Sequence, residues 1–433
     1  MFKTIRRVIY LFLALIILGP IAVLAIGRQD APAVGTDSVV SGKQAGRFNR
    51  LLNEFRAITR GDEEGPLTIE AADLESAVAL GARFIPGLRG DAHIGPGPNG
   101  EEEMALTIAV PIPFIEGAGW YNLTAAVPAS EEGIGLSRVA MGPIEIPAGW
   151  IVPTGAAVLD LVLGGDTGKL ARTAIGAVRL SDGVARLDIN MDLSGRNALA
   201  GRFKDTLRGL AFRSRPEQVA AYLEAFDAAA DNGKRFGTEL APHVALALRT
   251  AADRVEAGGS QRAEAEAMLF ALGVDCGTWS MQLVIGNVVP EGRSGAPCNP
   301  ARLAGRNDLK KHFTISAALA AAADSAGSFA VGEAKELMDS DGGTGFSFDD
   351  LMADRAGIRF AEVVLAGNPA DWRALAGRIG RDRDLLPEHR DLPSGMSADA
   401  FERAYRNVES ATYKDMVRRI DARIESNTVL GAG

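Results

Sequence analysis

The sequence predicts an α+β fold: an N-terminal transmembrane helix, an antiparallel β-rich domain with helices, then a mainly α-helical C-terminal domain. An uncharged apolar run near the N-terminus predicts the membrane helix. Short runs of alternating polar and apolar residues after Met104 predict antiparallel strands. From Asn197 to Leu272, apolar residues recur every three or four positions, which is the period of a helix.

The N-terminal segment predicts where the protein resides. Three basic residues, Lys3, Arg6 and Arg7, precede an uncharged run of nineteen residues at positions 8–26. A bilayer core requires about 20 apolar residues, so this run is long enough to span it. Because basic flanks stay in the cytoplasm, we expect a single-pass inner-membrane protein with its bulk in the periplasm. The alternative is secretion to the periplasm after cleavage of a signal peptide, since Val23-Leu24-Ala25 resembles a cleavage site.

The composition bounds the class of protein and its partners. With 47% hydrophobic and 23% charged residues, the chain is typical of a globular protein. A net charge of −9 and the lack of a concentrated basic stripe argue against a nucleic-acid partner. We therefore expect the inner membrane, lipids or other envelope proteins as partners.

Two cysteines, Cys276 and Cys298, are the only ones in the chain. An oxidising compartment would join them in a disulfide, which agrees with a periplasmic location. A loop of this size stabilises a fold by about 3 kcal/mol in the chain-entropy model. The wide spacing is unlike a CxxC motif and argues against a redox or metal pair.

These patterns divide the chain into five segments. They are residues 1–28, a membrane anchor or signal peptide; 29–64, a linker and short helix; 65–193, an α+β sheet domain; 194–275, a helical region; and 276–433, a disulfide-stapled helical domain.

Local patterns predict single elements within these segments. The string PLTIEAADLESAVALGARFI predicts a helix capped by Thr68. Asp182-Gly183, between two alternating runs, is typical of a type I′ hairpin turn. The string DLKKHFTISAALAAAADSAG predicts a helix, and residues 400–427 predict one charged amphipathic helix.

The acidic segment KELMDSDGGTGFSFDDLMADRAG, residues 335–357, holds six carboxylates. One interpretation is a calcium loop that begins at Asp339 and takes ligands from Asp341, Ser347 and Asp350. That loop would lack a ligand at its fifth position and the turn glycine at its sixth.

A second interpretation is that the middle of this segment only begins a helix. Ser347 is placed as the N-cap, and Asp350 three residues later completes a capping box. Phe346 and Leu351 are spaced as a hydrophobic staple, and Asp349 lies in the first turn, where the helix dipole favours a negative charge.

The two ends of the segment are not explained in this way. Asp350 and Asp354 lie one turn apart on one face, as do Glu336 and Asp339, and such like-charge pairs destabilise a helix unless a cation or proton lies between them. Lys335 and Arg355 are the nearest cations in sequence.

A histidine on the preceding predicted helix, His312, lies one turn from Ser316 on the same face and completes the candidate site. The candidate catalytic residues are His312, Glu336 and Asp354, and the candidate metal ligands are Asp339, Asp341 and Asp350. The other histidines, His93, His243 and His389, have no partner motif and are assigned no role.

Residues 309–360 resemble the YfiM-like envelope proteins, which are distantly similar to the VanZ-like membrane family. The matching residues are His312-Phe313, Ser316-Ala317, Lys335-Glu336, Asp339, Phe346-Ser347, Asp350-Leu351, Asp354 and Gly357. That family has no established reaction, so the resemblance implies a site without naming its chemistry. This chain differs in lacking a lipobox cysteine and in its large N-terminal region.

The first part of the chain has a weaker resemblance. The string SRVAMGPIEIPAGWIVP, after an anchor and a helix, resembles the YpmS-like and AsmA-like membrane-anchored envelope proteins. This resemblance covers residues 1–193 and implies a curved sheet with an apolar concave face that binds lipid or another hydrophobic ligand.

We therefore expect a membrane-anchored envelope protein that binds a hydrophobic ligand, lipid or envelope partner, without a cofactor and without enzymatic activity. The alternative is a metal- or carboxylate-dependent envelope hydrolase that uses His312, Glu336, Asp339 and Asp354. No GxSxG, SxxK, HExxH, P-loop or CxxC motif supports an enzyme.

Overall fold

The structure is a computed structural model. It describes residues 25–35, 41–83, 85, 87–112, 118–198, 201–202, 216–231, 237–278, 281, 288–290, 293, 295–322 and 345–431. The chain divides into two compact units, one made of residues 1–40 and 47–199 and the other of residues 41–46 and 200–433.

The described residues of the first unit form two antiparallel sheets. One has six strands in the order β3-β4-β5-β6-β7, with β1 paired to β5, and the other has three in the order β2-β9-β8. The strands are β1 Arg28–Gln29, β2 Leu67–Glu70, β3 Arg89–Pro96, β4 Glu102–Pro111, β5 Trp120–Pro128, β6 Arg138–Met141, β7 Ile144–Ile146, β8 Ile175–Ser181 and β9 Val184–Ile189.

Helices accompany these sheets. A long helix, α1 Gly42–Arg60, occupies most of the segment predicted as a linker with a short helix. The others in this part of the chain are α2 Ala71–Gly81, α3 Ala148–Leu163 and α4 Thr167–Thr173.

The core of the first unit lies between its two sheets. Alternate residues of β2 and β9, such as Leu67 and Leu187, pack with Ile94, Met104 and Val127 of the larger sheet. The period-2 pattern of each strand places its apolar side chains on the shared face. The predicted single curved sheet is thus two sheets with a common core.

Two local predictions for this unit had different outcomes. The predicted hairpin is confirmed, since Asp182 and Gly183 both have positive φ between β8 and β9, as a type I′ turn requires. The predicted cap at Thr68 is wrong, because Thr68 pairs with Arg186 in the small sheet. The helix begins at Ala71 instead. Glu70 is its N-cap and forms a capping box with Asp73.

The second unit is helical, apart from short turns, in the residues that the structure describes. Its helices are α5 Pro216–Asp231, α6 Ala241–Glu256, α7 Gln261–Leu272, α8 Asn307–Ala322, α9 Phe348–Ala366, α10 Pro369–Arg378, α11 Ala398–Tyr405 and α12 Ala411–Glu425. The predicted α+β class, with antiparallel strands and a helical C-terminal region, is confirmed.

The predicted single helix over residues 400–427 is wrong, because two helices occupy this stretch. Helix α11 ends at Tyr405, where Arg406 takes a positive φ, and Ser410 then caps α12 by accepting the backbone N–H of Tyr413. A residue with positive φ cannot continue a right-handed helix, and a serine N-cap starts a new one.

The disulfide is confirmed: Cys276 and Cys298 are bonded. Cys276 lies in a π-helical turn, Gly273–Gly277, that continues α7, and both cysteines are buried. The bond closes a loop inside the helical core.

A membrane crossing is not found in the part of the chain that the structure describes: none of its helices is both long and apolar enough. The predicted span at residues 8–26 lies outside the described residues except for its last two positions.

Helices α8 and α9 of the second unit pack closely and cross at Gly357. A Cβ built on Gly357 would overlap the carbonyl oxygen of Phe313 on α8. Only a hydrogen at this position lets the two backbones approach so closely. This crossing brings polar side chains of the two helices within hydrogen-bond distance.

We expect Gly357→Ala to destabilise the second unit by about 1–3 kcal/mol, because the added methyl group must push α8 away from α9. Thermal unfolding followed by circular dichroism would show a lower midpoint. The matched control is Gly377→Ala in α10, where nothing lies within 4 Å of the added Cβ. The control should be neutral or slightly stabilising, since alanine favours a helix over glycine. Equal midpoints for wild type and Gly357→Ala would contradict the close crossing.

Candidate functional site

The candidate site lies between α8 and α9, around the carboxylate of Asp354. Both of its oxygens lie 3.1 Å from Nδ1 of His312, and Ser316 Oγ donates to one of them at 2.6 Å. His312 and Ser316 are one turn apart on α8, so both point at the same place on α9. Three of the residues singled out in the sequence are thereby brought together.

The contact with Asp354 determines which ring nitrogen of His312 carries a proton. An ionised carboxylate only accepts hydrogen bonds, so Nδ1 of His312 carries the proton. The other ring nitrogen, Nε2, lies 3.8 Å from an oxygen of Asp350. The imidazole is therefore placed between two carboxylates.

The start of α9 positions Asp350. Ser347 is the N-cap, as predicted, and its hydroxyl accepts the backbone N–H of Asp350 at 3.3 Å. The predicted return bond of the capping box is replaced, because the Asp350 carboxylate accepts a hydrogen bond from Arg306 at 3.0 Å. Phe346 is buried in an aromatic cluster with Phe348 and Phe401.

Arg306 is the cation that relieves the crowded carboxylates. Its guanidinium pairs with Asp349 and Asp350 on α9 and with Asp308 at the start of α8. Burial raises the pKa of the Asp350 carboxyl above its ordinary value, although His312 and Arg306 oppose that change. Arg355, one of the two cations nearest in sequence, pairs with Asp421 on α12 instead.

The cluster is closed on most sides. The residue His312 is 9% exposed and Asp354 is 2% exposed. Burying an ionised carboxylate costs several kcal/mol unless donors surround it, and His312 and Ser316 are such donors. This arrangement holds two helices together and keeps one imidazole in a fixed orientation.

The metal-binding capacity of the described residues is limited. His312 Nε2 and Asp350 Oδ2 are two possible metal-ligand atoms that lie close to each other. Protein metal sites usually have three or more protein ligands. Among the described residues, the one group of three candidate ligands is Asp275, Cys276 and Cys298. Their sulfurs are bonded to each other, so this group does not offer thiolates.

Three predicted site residues, Glu336, Asp339 and Asp341, lie outside the described residues. Their roles as candidate base and metal ligands stay predictions.

Sequence reasoning missed Arg306 and Lys310. Arg306 precedes α8 by one residue, and the signal was its spacing two residues before Asp308. Lys310 is 1% exposed on α8, and its Nζ donates to the carbonyl oxygens of Cys298 at 3.0 Å and Asn299 at 3.2 Å. Burial lowers the pKa of Lys310 to about 8.

No protein-family model, no curated protein and no solved structure matches this chain.

The buried Lys310 predicts a pH dependence of stability. The folded chain releases this proton near pH 8 and the unfolded chain near 10.5, so between these values the unfolded state binds one proton more. The free energy of unfolding therefore rises with pH in this window. We expect Lys310→Met to lack this rise, so that wild type gains stability over the variant between about pH 8 and about pH 10.

Urea denaturation at several pH values would measure the difference. Lys311→Met is the matched control: Lys311 is the exposed neighbour, and the variant should keep the rise with pH, because burial lowers the pKa of Lys310 more than the charge of Lys311 does. If the free energy of unfolding changed with pH in the same way in wild type and Lys310→Met, the lowered pKa of Lys310 would be contradicted.

Proposed function

We propose that this chain is a cell-envelope protein, anchored in the inner membrane, that acts in the periplasm as a binding factor and not as an enzyme. The observation that carries the proposal is the buried disulfide between Cys276 and Cys298. Stable disulfides belong to oxidising compartments, and the basic and apolar N-terminus predicts the same side of the membrane.

The surroundings of the disulfide support a permanent structural bond. Asp275, next to Cys276, accepts the backbone N–H of Cys298 at 3.1 Å and pairs with Arg293 at 2.6 Å. Lys310 donates to the carbonyl oxygen of Cys298. Reduction would leave these charged groups around two separate thiols in the core.

The closed cluster supports a binding role over catalysis. The Asp354 carboxylate accepts its hydrogen bonds from inside the protein, and both nitrogens of His312 face carboxylates. A general base needs a nitrogen that can reach a substrate proton, and this imidazole is held between α8 and α9.

The proposed ligand of the first unit is a lipid or another apolar molecule. Leu106 and Ile108 on β4 and Leu123 on β5 are half-buried and lie on the face that carries Met104 and Val127 into the core. The apolar face therefore extends beyond the part that the second sheet covers.

Thiol trapping tests the location: intact bacterial cells are quenched with acid, and the protein is then denatured before labelling, because both cysteines are buried in the folded chain. We expect no reaction with a maleimide-linked polymer before reduction and two labels per chain after reduction. Cys276→Ser is the matched control and should take one label without reduction, at Cys298. Two labels on the wild-type chain in unreduced cells would place the protein in a reducing compartment and contradict the proposal.

A second candidate function is the metal- or carboxylate-dependent envelope hydrolase. The contact between Asp354 and His312 Nδ1 favours it, because a carboxylate that orients a histidine is the usual outer shell of a metal site. His312 Nε2 and Asp350 would then be ligands, with Glu336 and Asp339 as further candidates.

Metal analysis of the purified chain separates the two functions. Under the binding proposal, wild type and His312→Ala contain no stoichiometric metal, and the variant melts at a lower temperature because Asp354 loses a donor. Stoichiometric metal in wild type that is lost in His312→Ala, and in Asp350→Asn, would favour the hydrolase. Lys311→Met is the control for the general effect of a substitution on α8.

A further inference from the structure

A cleft of about 650 Å³ opens in the second unit, on residues that the candidate site does not use. Three segments form its walls: residues 238–239, residues 302–305 and residues 381–390. The volume is in the range of small-molecule sites and exceeds that of a single inorganic ion.

Four arginines line this cleft: Arg302, Arg381, Arg383 and Arg390. None of them forms an ion pair with any residue that the structure describes. Arginines elsewhere in the unit are paired, for example Arg373 with Asp253 and Glu256. Arg302 Nη1 donates instead to the backbone carbonyl oxygens of residues 299–301. Guanidinium groups that no carboxylate neutralises give the cleft a positive charge that attracts an anion.

Three carboxylates line the cleft, Glu239, Asp382 and Glu388, and none of them forms an ion pair with these arginines in the described part of the chain. Asp382 is buried and accepts the backbone N–H groups of Leu240 at 2.9 Å, Ala241 at 3.1 Å and Ala304 at 2.9 Å. Glu388 accepts the backbone N–H of Arg390 at 3.2 Å. Because Asp382 already accepts the N–H groups at the start of α6, that helix end is not available to an anion in the cleft. Only side chains could bind the anion there.

A buried histidine adds a second, independent feature. His389 is 6% exposed and lines the cleft, and its Nδ1 lies 3.2 Å from the carbonyl oxygen of Pro387. Because a carbonyl oxygen only accepts, Nδ1 carries the proton. In the neutral imidazole Nε2 is then a lone-pair acceptor, and it has no hydrogen-bond partner among the described residues.

The loop that carries His389 is fixed in place. Arg423 on α12 donates to the carbonyl oxygen of Glu388 at 3.0 Å and to both oxygens of Asp391 at 2.7 Å and 2.6 Å. The other walls are tied together by Asp382. The site is therefore built before any ligand binds, which lowers the entropic cost of binding.

We propose that this cleft binds a ligand with a terminal phosphate group. Guanidinium groups match phosphate oxygens in bidentate geometry. A terminal phosphate has a second pKa of about 6 and so carries a P–OH group part of the time, which Nε2 of His389 accepts. A phosphodiester and a sulfate both lack this proton. The proposal does not depend on His312 or on the proposed binding of an apolar ligand.

Isothermal titration calorimetry on the full chain in detergent tests it with three probes: inorganic phosphate, glycerol 3-phosphate and dihexanoyl phosphatidate. We expect saturable binding of at least one probe and a loss of tenfold or more in R381Q/R383Q. Arg373→Gln, the paired arginine outside the cleft, should bind as wild type does. Tighter binding of the phosphatidate identifies a lipid headgroup, and tighter binding of the other two identifies a soluble phosphate; both support the proposal.

The role of His389 has its own measurement, the ratio of phosphate to sulfate affinity. We expect wild type to prefer phosphate and His389→Gln to lose that preference, and a ratio is insensitive to a general weakening of the site. Three results would overturn the proposal: no saturable binding of any probe, equal binding by R381Q/R383Q and wild type, or an equal loss in Arg373→Gln. Wild type that binds sulfate or dihexanoyl phosphatidylglycerol as tightly as terminal phosphate would also overturn it.

Discussion

The buried carboxylate of Asp354 ties α8 to α9, and the geometry of the second unit depends on it. An ionised carboxylate away from water is tolerated only when hydrogen-bond donors surround it. His312 and Ser316 supply those donors from α8, one helical turn apart. Gly357 allows the helices to come close enough for this contact. The same packing holds the start of α9, where Ser347, Asp350 and Arg306 meet.

Other buried carboxylates of this unit follow the same rule. Glu264 accepts hydrogen bonds from Arg254 and Tyr222, and Asp275 pairs with Arg293. Asp382 is satisfied by backbone N–H groups alone. The arginine-lined cleft breaks the pattern, because there the cations outnumber the carboxylates free to pair with them. A surplus of charge that the fold does not use is the feature expected of a binding site.

Short-range physics made several elements predictable. Ser347 caps α9 because a serine oxygen satisfies a helix N–H three residues away, and Asp-Gly turns a hairpin because both residues tolerate positive φ. The prediction of a helix N-cap at Thr68 was wrong because pairing with β9, which is distant in sequence, outweighed the local preference of threonine for a cap. The prediction of one helix over residues 400–427 was wrong because the amphipathic spacing continues across Arg406, whose positive φ ends α11.

The sequence by itself determined the classes of element, the pairing of its only two cysteines and the grouping of His312 with Ser316. These depend on spacing along one helix or on composition, which need no knowledge of distant contacts. Only the tertiary structure decided that Asp354 is the partner of His312, that Arg306 and not Arg355 neutralises Asp350, and that Arg302 and His389 share a cleft. Hydrogen bonds and ion pairs act over a few ångströms, so packing, and not position in the chain, selects their partners.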